Sequence, residues 1–216
     1  MKKVLIPIGI LISSLFYIFL VDTNNVWFLL ITKLIPMILI ILYASRQVRP
    51  IKSILIGLAF CTVGDALIIF SFLPGLVAFL IGHLFYIYSF IKIGHFSWNR
   101  LYMLIPFTVF GVYIGFTLIS SLTSNGEEAF ILPVILYLII ISLMGFAAFQ
   151  TQNKYLYFGS ILFILSDTVL AWNKFIGDLL YSGEIIMITY YSAQFLIAHS
   201  LTVQNYKQHK TSVPKE

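Results

Sequence analysis

Two aspartates in the middle of apolar stretches are the residues of this chain best suited to chemistry. Asp65 lies in the segment 59–70 and Asp167 in the segment 163–172, and each follows a small residue. Both segments belong to runs long enough to cross a bilayer. Because an ionisable group at that depth costs at least a few kcal/mol, both aspartates are candidate functional residues.

Two carboxyl groups in an apolar pocket can divide the work of general acid–base catalysis. Burial and mutual repulsion keep one of them protonated as the acid, while the other stays ionised and activates a water molecule. Glycoside hydrolysis uses this division, which suits any bond that breaks through an oxocarbenium-like cation. At this point either Asp65 or Asp167 could be the acid.

Other interpretations of the buried carboxyls stay open beside the catalytic one. The aspartates could pair with Lys33 and His83 only to hold a helix bundle together. They could also relay protons or ions in a small transporter or lipid-handling protein. An acyltransferase, or a structural membrane protein without catalysis, is a further alternative. Turnover in detergent micelles separates an enzyme from a transporter, because a micelle has no two sides to connect.

Further polar side chains fall inside the apolar segments. Lys33 could be the counter-ion of one aspartate or a ligand for phosphate, or it could reach the interface along its four-carbon stem without any such role. His83 and Tyr86 are three residues apart and share a helix face. The remaining candidates for orienting a lipid headgroup or a water molecule are Tyr137, Tyr190 and Gln194.

The composition indicates which elements position these residues. Of the 216 residues, 60% are hydrophobic and 10% are charged, whereas about 25% are charged in a typical soluble domain. The mean hydropathy is +0.99. A soluble domain this apolar could not cover its surface. We therefore predict an all-α polytopic membrane protein with a single domain over 1–216, of which 203–216 is a cytoplasmic tail.

Eight apolar runs divide the chain into predicted transmembrane helices. Runs of about 17 to 21 residues suit a hydrocarbon core about 30 Å thick, at about 1.5 Å per residue. We expect Pro74 and Gly75 to form the turn between the third and fourth helices, and 173–183 to form a longer loop. The predicted helices are 4–21, 26–43, 53–72, 75–91, 101–121, 130–149, 155–172 and 184–203.

The basic residues predict the orientation of these helices. With a cytoplasmic N-terminus, eleven lysines and arginines fall in the inner segments and only Lys174 falls in the outer ones, while Lys33 is inside the membrane. Such an asymmetry is typical of multi-pass membrane proteins. It predicts both termini in the cytoplasm and a location in the cell membrane.

The same helix boundaries place the polar side chains at a shared depth. Asp65 and Asp167 each lie about 12 residues from the cytoplasmic ends of two parallel helices, or roughly 18 Å. Their matching positions favour an internal repeat of four helices. The residues that lie about seven or eight positions from the outer ends are Lys33, His83, Tyr137 and Tyr190.

Several classes of site are absent from the sequence. The single cysteine, Cys61, excludes an intrachain disulfide, and the four scattered histidines do not form a metal-ligand cluster. No Gly-x-Ser-x-Gly motif and no phosphate-binding glycine loop occurs. We therefore expect no metal and no other cofactor. We also expect no nucleic-acid partner, because membrane topology accounts for the net charge of +5.

The polar residues occur in motifs whose order is informative. The motifs are Lys33-x-x-Pro36, Gly64-Asp65-x-Leu67, Gly82-His83-x-x-Tyr86, Tyr137, Gly159 to Ser166-Asp167, and Tyr190-Tyr191-x-x-Gln194. This order, over essentially the whole chain, resembles the YhhN-like lysoplasmalogenase family of integral membrane hydrolases. The resemblance implies an enzyme of eight helices that cleaves the vinyl ether bond of lysoplasmalogens. The products would be a fatty aldehyde and glycerophosphoethanolamine or glycerophosphocholine.

The resemblance also implies roles for the candidate residues. Asp65 and Asp167 would be the catalytic acid and base, and the substrate would be a lysophospholipid taken from the bilayer, with no cofactor. The residues expected to bind and orient this substrate are Lys33, His83, Tyr86, Tyr137, Tyr190 and Gln194.

Overall fold

The computed structural model describes residues 2–19, 25–48 and 50–211. This part of the chain forms eight α-helices and two short 3₁₀ segments, Trp98–Met103 and Glu128–Phe130, without a strand. The prediction of an all-α fold with eight helices is confirmed, and that all eight span the membrane stays a prediction. The helices are α1 (Lys2–Phe19), α2 (Val26–Ser45), α3 (Lys52–Phe70), α4 (Phe72–Ile93), α5 (Leu104–Ser124), α6 (Ile131–Gln150), α7 (Lys154–Phe175) and α8 (Ser182–Thr211).

The helices have the length and composition of membrane-spanning segments. Within the described residues, seven helical segments are long and apolar enough to cross a membrane, and α1 adds the shorter apolar stretch Leu5–Phe19. Large apolar side chains such as Leu11, Val112 and Phe116 are exposed on their outer faces. A helix suits this environment because it satisfies its own backbone hydrogen bonds, which lipid cannot do. The chain is therefore a multi-pass membrane protein.

The turn between α3 and α4 lies at Ser71, so the prediction that Pro74 and Gly75 form it is wrong. Both residues lie in the first turn of α4. Proline is tolerated there because the first N–H groups of a helix have no intrahelical partner. Gly75 serves helix packing instead, since a Cβ atom on it would lie 2.7 Å from the Cβ atom of Ile68.

Other helix ends differ from the predictions by a few residues. The loop predicted at 173–183 is shorter, because the N–H groups of Ile176 and Gly177 donate to the carbonyl oxygen of Trp172 and extend α7. At the end of the chain, α8 continues through most of the predicted tail. Residues 20–21 of the first predicted helix and residues 212–216 of the tail lie outside the described part of the chain.

Helices contact one another in the same order in both halves of the chain. Each of α1, α2 and α3 contacts the next helix, and so does each of α5, α6 and α7. Between the halves, α4 contacts α6 and α8 contacts α2. Other contacts break this symmetry: α1 contacts α8 and α5 contacts α7, whereas among the described residues α4 does not contact α5 and α1 does not contact α3. The internal repeat, in which α3 and α7 would correspond, therefore stays a prediction.

Glycines allow α3 and α4 to approach each other closely. A Cβ atom on Gly57 would lie 2.5 Å from a ring carbon of Tyr86 and 3.1 Å from the carbonyl oxygen of Gly82. The Tyr86 ring is fully buried, and its hydroxyl is hydrogen-bonded to Gln194. The absence of a side chain at Gly57 therefore determines where this ring packs.

We expect Gly57→Ala to lower the free energy of unfolding by about 1–3 kcal/mol, because the added methyl group forces a packed ring or a helix to shift. Gly115→Ala is the matched control, since the nearest neighbour of its added Cβ atom would be a Leu138 carbon at an ordinary contact distance of 3.5 Å. Alanine also favours the helix more than glycine does. Unfolding in detergent measures both variants. Equal stability of the two variants would contradict the close approach of α3 and α4.

Candidate active site

A cavity of about 690 Å³ opens at the end of the bundle that holds the α3–α4 and α7–α8 links. Asp65 and Asp167 both line this cavity. Shared depth alone did not establish that the two aspartates belong to one site, and the packing of the helices places both of them in the lining of the same cavity. The cavity is therefore the candidate active site.

Asp65 is held by two side chains from other helices. Lys33 on α2 places its Nζ atom 3.5 Å from Oδ1, which is the only ion pair among the residues that the structure describes. The Tyr190 hydroxyl on α8 donates to Oδ2 at 2.6 Å. Asp65 itself is 2% exposed. Because an ammonium group offsets the cost of burying a carboxylate, this arrangement suits an ionised Asp65.

Lys33 is positioned by a residue next to Tyr190. The hydroxyl of Tyr191 donates to the backbone carbonyl oxygen of Lys33 at 2.8 Å. The two neighbouring tyrosines of α8 therefore hold both partners of the ion pair, one through the Asp65 carboxylate and the other through the backbone of α2. This explains how the Tyr-Tyr motif contributes to the site.

Asp167 has a tyrosine partner but no cation. The Tyr137 hydroxyl on α6 donates to its Oδ2 atom, and no lysine or arginine of the described residues forms an ion pair with it. The residue is half-buried at the cavity wall. An apolar fissure of about 30 Å³ adjoins it, with Ile68, Phe110 and Leu138 in its lining. These surroundings suit a neutral, protonated carboxyl group.

The two aspartates thus have similar tyrosine partners, but the charge of their surroundings differs. Asp65 lies on α3 and Asp167 on α7, and each accepts a hydrogen bond from a tyrosine. Among the described residues, an ammonium group forms an ion pair with Asp65 and none does so with Asp167. The arrangement can therefore hold one carboxylate and one carboxylic acid in the same cavity, as acid–base catalysis requires.

Three predicted site residues lie behind the cavity wall. His83, Tyr86 and Gln194 are each 0% exposed, and none lines the cavity. The Tyr86 hydroxyl donates to Gln194 Oε1 at 2.6 Å. The His83 ring packs edge-on against Phe163 and Tyr137, with centroids 4.6 Å and 5.3 Å away. Its ring nitrogens have no hydrogen-bond partner in the described structure. Substrate contact by these three residues stays a prediction.

Sequence reasoning missed the polar residues at the mouth of the cavity. Ser71, Asn173 and Lys174 line this mouth, near the ends of α3 and α7. One signal was available, because Lys174 is the only basic residue in the segments predicted to lie outside. Nothing in the sequence connected that charge with the two aspartates.

The family of the chain follows from comparison with known proteins. The sequence profile of the YhhN family matches residues 28–201. The chain belongs to the YhhN family. The matched range includes every predicted site residue, from Lys33 to Gln194. The resemblance to the YhhN family inferred from the motifs is thereby confirmed.

Named relatives extend the YhhN match over most of the chain. Human lysoplasmalogenase TMEM86B is 32% identical over 179 residues, which cover 81% of this chain and 75% of that protein. Rat lysoplasmalogenase TMEM86B is 29% identical over 205 residues, covering 92% of this chain and 84% of that protein. Bovine lysoplasmalogenase TMEM86A is 32% identical over 161 residues, covering 68% and 64%. No solved structure matches.

Proposed function

We propose that this YhhN protein is a membrane lysoplasmalogenase that hydrolyses the vinyl ether bond of lysoplasmalogens. The products are a fatty aldehyde and glycerophosphoethanolamine or glycerophosphocholine. The relatives named lysoplasmalogenase support this activity. The observation that carries the proposal is the single cavity lined by two carboxyl groups, of which only Asp65 has a cationic partner.

In the proposed reaction, Asp167 is the general acid. Its carboxyl proton adds to the β carbon of the vinyl ether, the carbon–carbon double bond is consumed, and the adjacent carbon and oxygen become an oxocarbenium ion. The hydrogen bond from Tyr137 stabilises the carboxylate that remains on Asp167. The absence of an ion pair supports this assignment, because a nearby ammonium group would favour loss of the proton before substrate binds.

Asp65 is the general base of the proposed second step. A water molecule attacks the oxocarbenium carbon, and its proton passes to the Asp65 carboxylate, which Lys33 and Tyr190 hold in place. In the resulting hemiacetal the bond to the glycerol oxygen breaks, the hydroxyl group loses its proton to become the aldehyde carbonyl, and the glycerol oxygen gains a proton to become the glycerophospho alcohol. A proton transfer from Asp65 back to Asp167 through the cavity restores the starting state.

The substrate is a single-chain lipid that reaches the cavity from the bilayer. Its ether bond lies next to the headgroup, at the depth where the two aspartates line the cavity. We place the protein in the cell membrane with both termini in the cytoplasm, as the distribution of basic residues predicts. Labelling of a Ser212→Cys variant from either side of sealed, right-side-out vesicles measures this orientation. Labelling only by a reagent outside these vesicles would contradict it.

Aldehyde release from lysoplasmalogen by the purified protein in detergent tests the proposed activity. The matched control is the saturated 1-O-alkyl analogue, which has the same headgroup and chain but no vinyl ether. We expect aldehyde from the first lipid and none from the second. Folded protein that releases no aldehyde would refute the activity, whereas turnover in micelles would exclude an explanation by transport alone.

A further inference from the structure

The mouth of the cavity presents hydrogen-bond donors around a lysine. Lys174 is exposed, lines the cavity and forms no ion pair with any described residue. Its Nζ atom lies 5.8 Å from the centroid of the Phe72 ring. This contact holds the ammonium group beside the mouth, since a cation over an aromatic face is attracted by it. Among the described residues of the lining, the only carboxyl groups are the two aspartates deeper in the cavity.

Two neutral donors accompany Lys174. Asn173 uses its side-chain oxygen to accept a hydrogen bond from the Leu179 backbone at 3.0 Å. Its amide nitrogen therefore remains as a donor. Ser71 precedes α4 without capping the helix through its side chain, so its hydroxyl is not used in the fold. The mouth thus combines one positive charge with amide and hydroxyl donors, a set that matches a phosphate group.

We propose that this mouth is the subsite for the phosphate of a single-chain phospholipid, with Lys174 as its charged ligand. The inference rests on the proposed function in one respect, namely that a lipid occupies the cavity. It adds which part of that lipid is recognised and at which end of the cavity. A neutral single-chain lipid would leave Lys174 without a partner and is the poorer ligand.

The spacing between Lys174 and the acid agrees with the size of such a lipid. Lys174 follows Asp167 by seven residues on the same helix, which corresponds to about 10 Å along the axis. Seven bonds separate the vinyl β carbon from the phosphorus atom, or about 8 Å when extended. The flexible lysine side chain can cover the difference. One molecule can therefore contact Asp167 with its double bond and Lys174 with its phosphate.

The distribution of charge supports a specific role for this lysine. Lys174 is the only basic residue of the predicted outer segments, which otherwise carry acidic residues such as Glu127, Glu128 and Asp178. The phosphate of a phospholipid headgroup that approaches this end of the bundle meets the one basic residue of the predicted outer segments at the cavity. The same charge that attracts the phosphate would therefore also direct the lipid to the aspartates.

Binding of non-cleavable lipids to the purified protein tests the phosphate subsite. Calorimetry in detergent compares 1-O-alkyl-glycero-3-phosphoethanolamine with 1-O-alkylglycerol, which lacks the phosphate. We expect Lys174→Met to weaken binding of the phospholipid about tenfold and to leave binding of the alkylglycerol unchanged. Lys174→Arg should keep most of the affinity. Lys154→Met is the matched control, because Lys154 lies at the opposite end of α7, also beside an aromatic ring.

Each of the other outcomes would overturn the inference. Equal weakening for both lipids would show that Lys174 only supports the cavity wall, and no weakening would place the phosphate elsewhere. Inorganic phosphate alone is the second probe. If it bound as tightly as the phospholipid and with the same dependence on Lys174, the ligand would be free phosphate. Because the alkyl lipids are not cleaved, absence of aldehyde release would refute the proposed activity without affecting this result.

Discussion

Replacing Asp167 with asparagine is expected to lower the rate of aldehyde release by about 10²–10⁴-fold, the range for loss of a general acid. Asparagine keeps the shape of the side chain and still accepts a hydrogen bond from Tyr137, but it has no carboxyl proton to give to the vinyl carbon. Asp65→Asn should cause a loss of the same order, because water then lacks its base. The measurement is the initial rate with lysoplasmalogen in detergent.

The control for these variants is an aspartate at the same end of the bundle. Asp178 is exposed in the α7–α8 loop and does not line the cavity, so Asp178→Asn should keep the activity of the unmodified protein. Each variant should elute as a folded species before its rate is compared. Substantial activity in both Asp65→Asn and Asp167→Asn would contradict the acid–base mechanism, although the proposed activity itself would stand.

Replacing Lys33 with methionine is expected to lower the free energy of unfolding by about 3–5 kcal/mol, because it leaves the buried Asp65 carboxylate without its cation. Methionine has a similar length, so lost packing contributes little. The Lys33→Met/Asp65→Asn double variant should recover much of this loss, since neither charge then remains buried. Reversible unfolding in detergent micelles measures all three proteins.

The control for Lys33→Met is the replacement of an exposed lysine. Lys52 lies at the start of α3 and is exposed, and Lys52→Met should change the free energy of unfolding by less than about 0.5 kcal/mol. If the effects of Lys33→Met and Asp65→Asn simply add in the double variant, the two side chains are not coupled. That result would contradict the contact between Nζ of Lys33 and Oδ1 of Asp65.

The sequence predicted that the candidate site residues share one layer of the membrane, but it did not predict which of them face the same cavity. Lys33, Asp65, Asp167 and Tyr190 were all placed in one layer, and all four line the cavity. His83 and Tyr137 were placed in the same layer, yet neither of them lines this cavity. The reason is that membrane helices are apolar around most of their circumference, so hydrophobic periodicity does not show which face points inward.

The sequence by itself determined the number of helices and the membrane environment. These follow from the lengths of the apolar runs, which can be counted along the sequence and compared with the thickness of a bilayer. The family also followed from the order of the motifs, because a linear order of residues can be read without a fold.

The tertiary structure alone decided which side chains meet. The Tyr190 hydroxyl reaches Asp65 although 125 positions separate the two residues, and Tyr137 rather than a cation accompanies Asp167. Lys174 lies at the mouth of the same cavity because α3 and α7 end, and α4 begins, at one side of the bundle. Such lateral contacts depend on helix rotation and close packing between distant segments, for which the sequence contains no local signal.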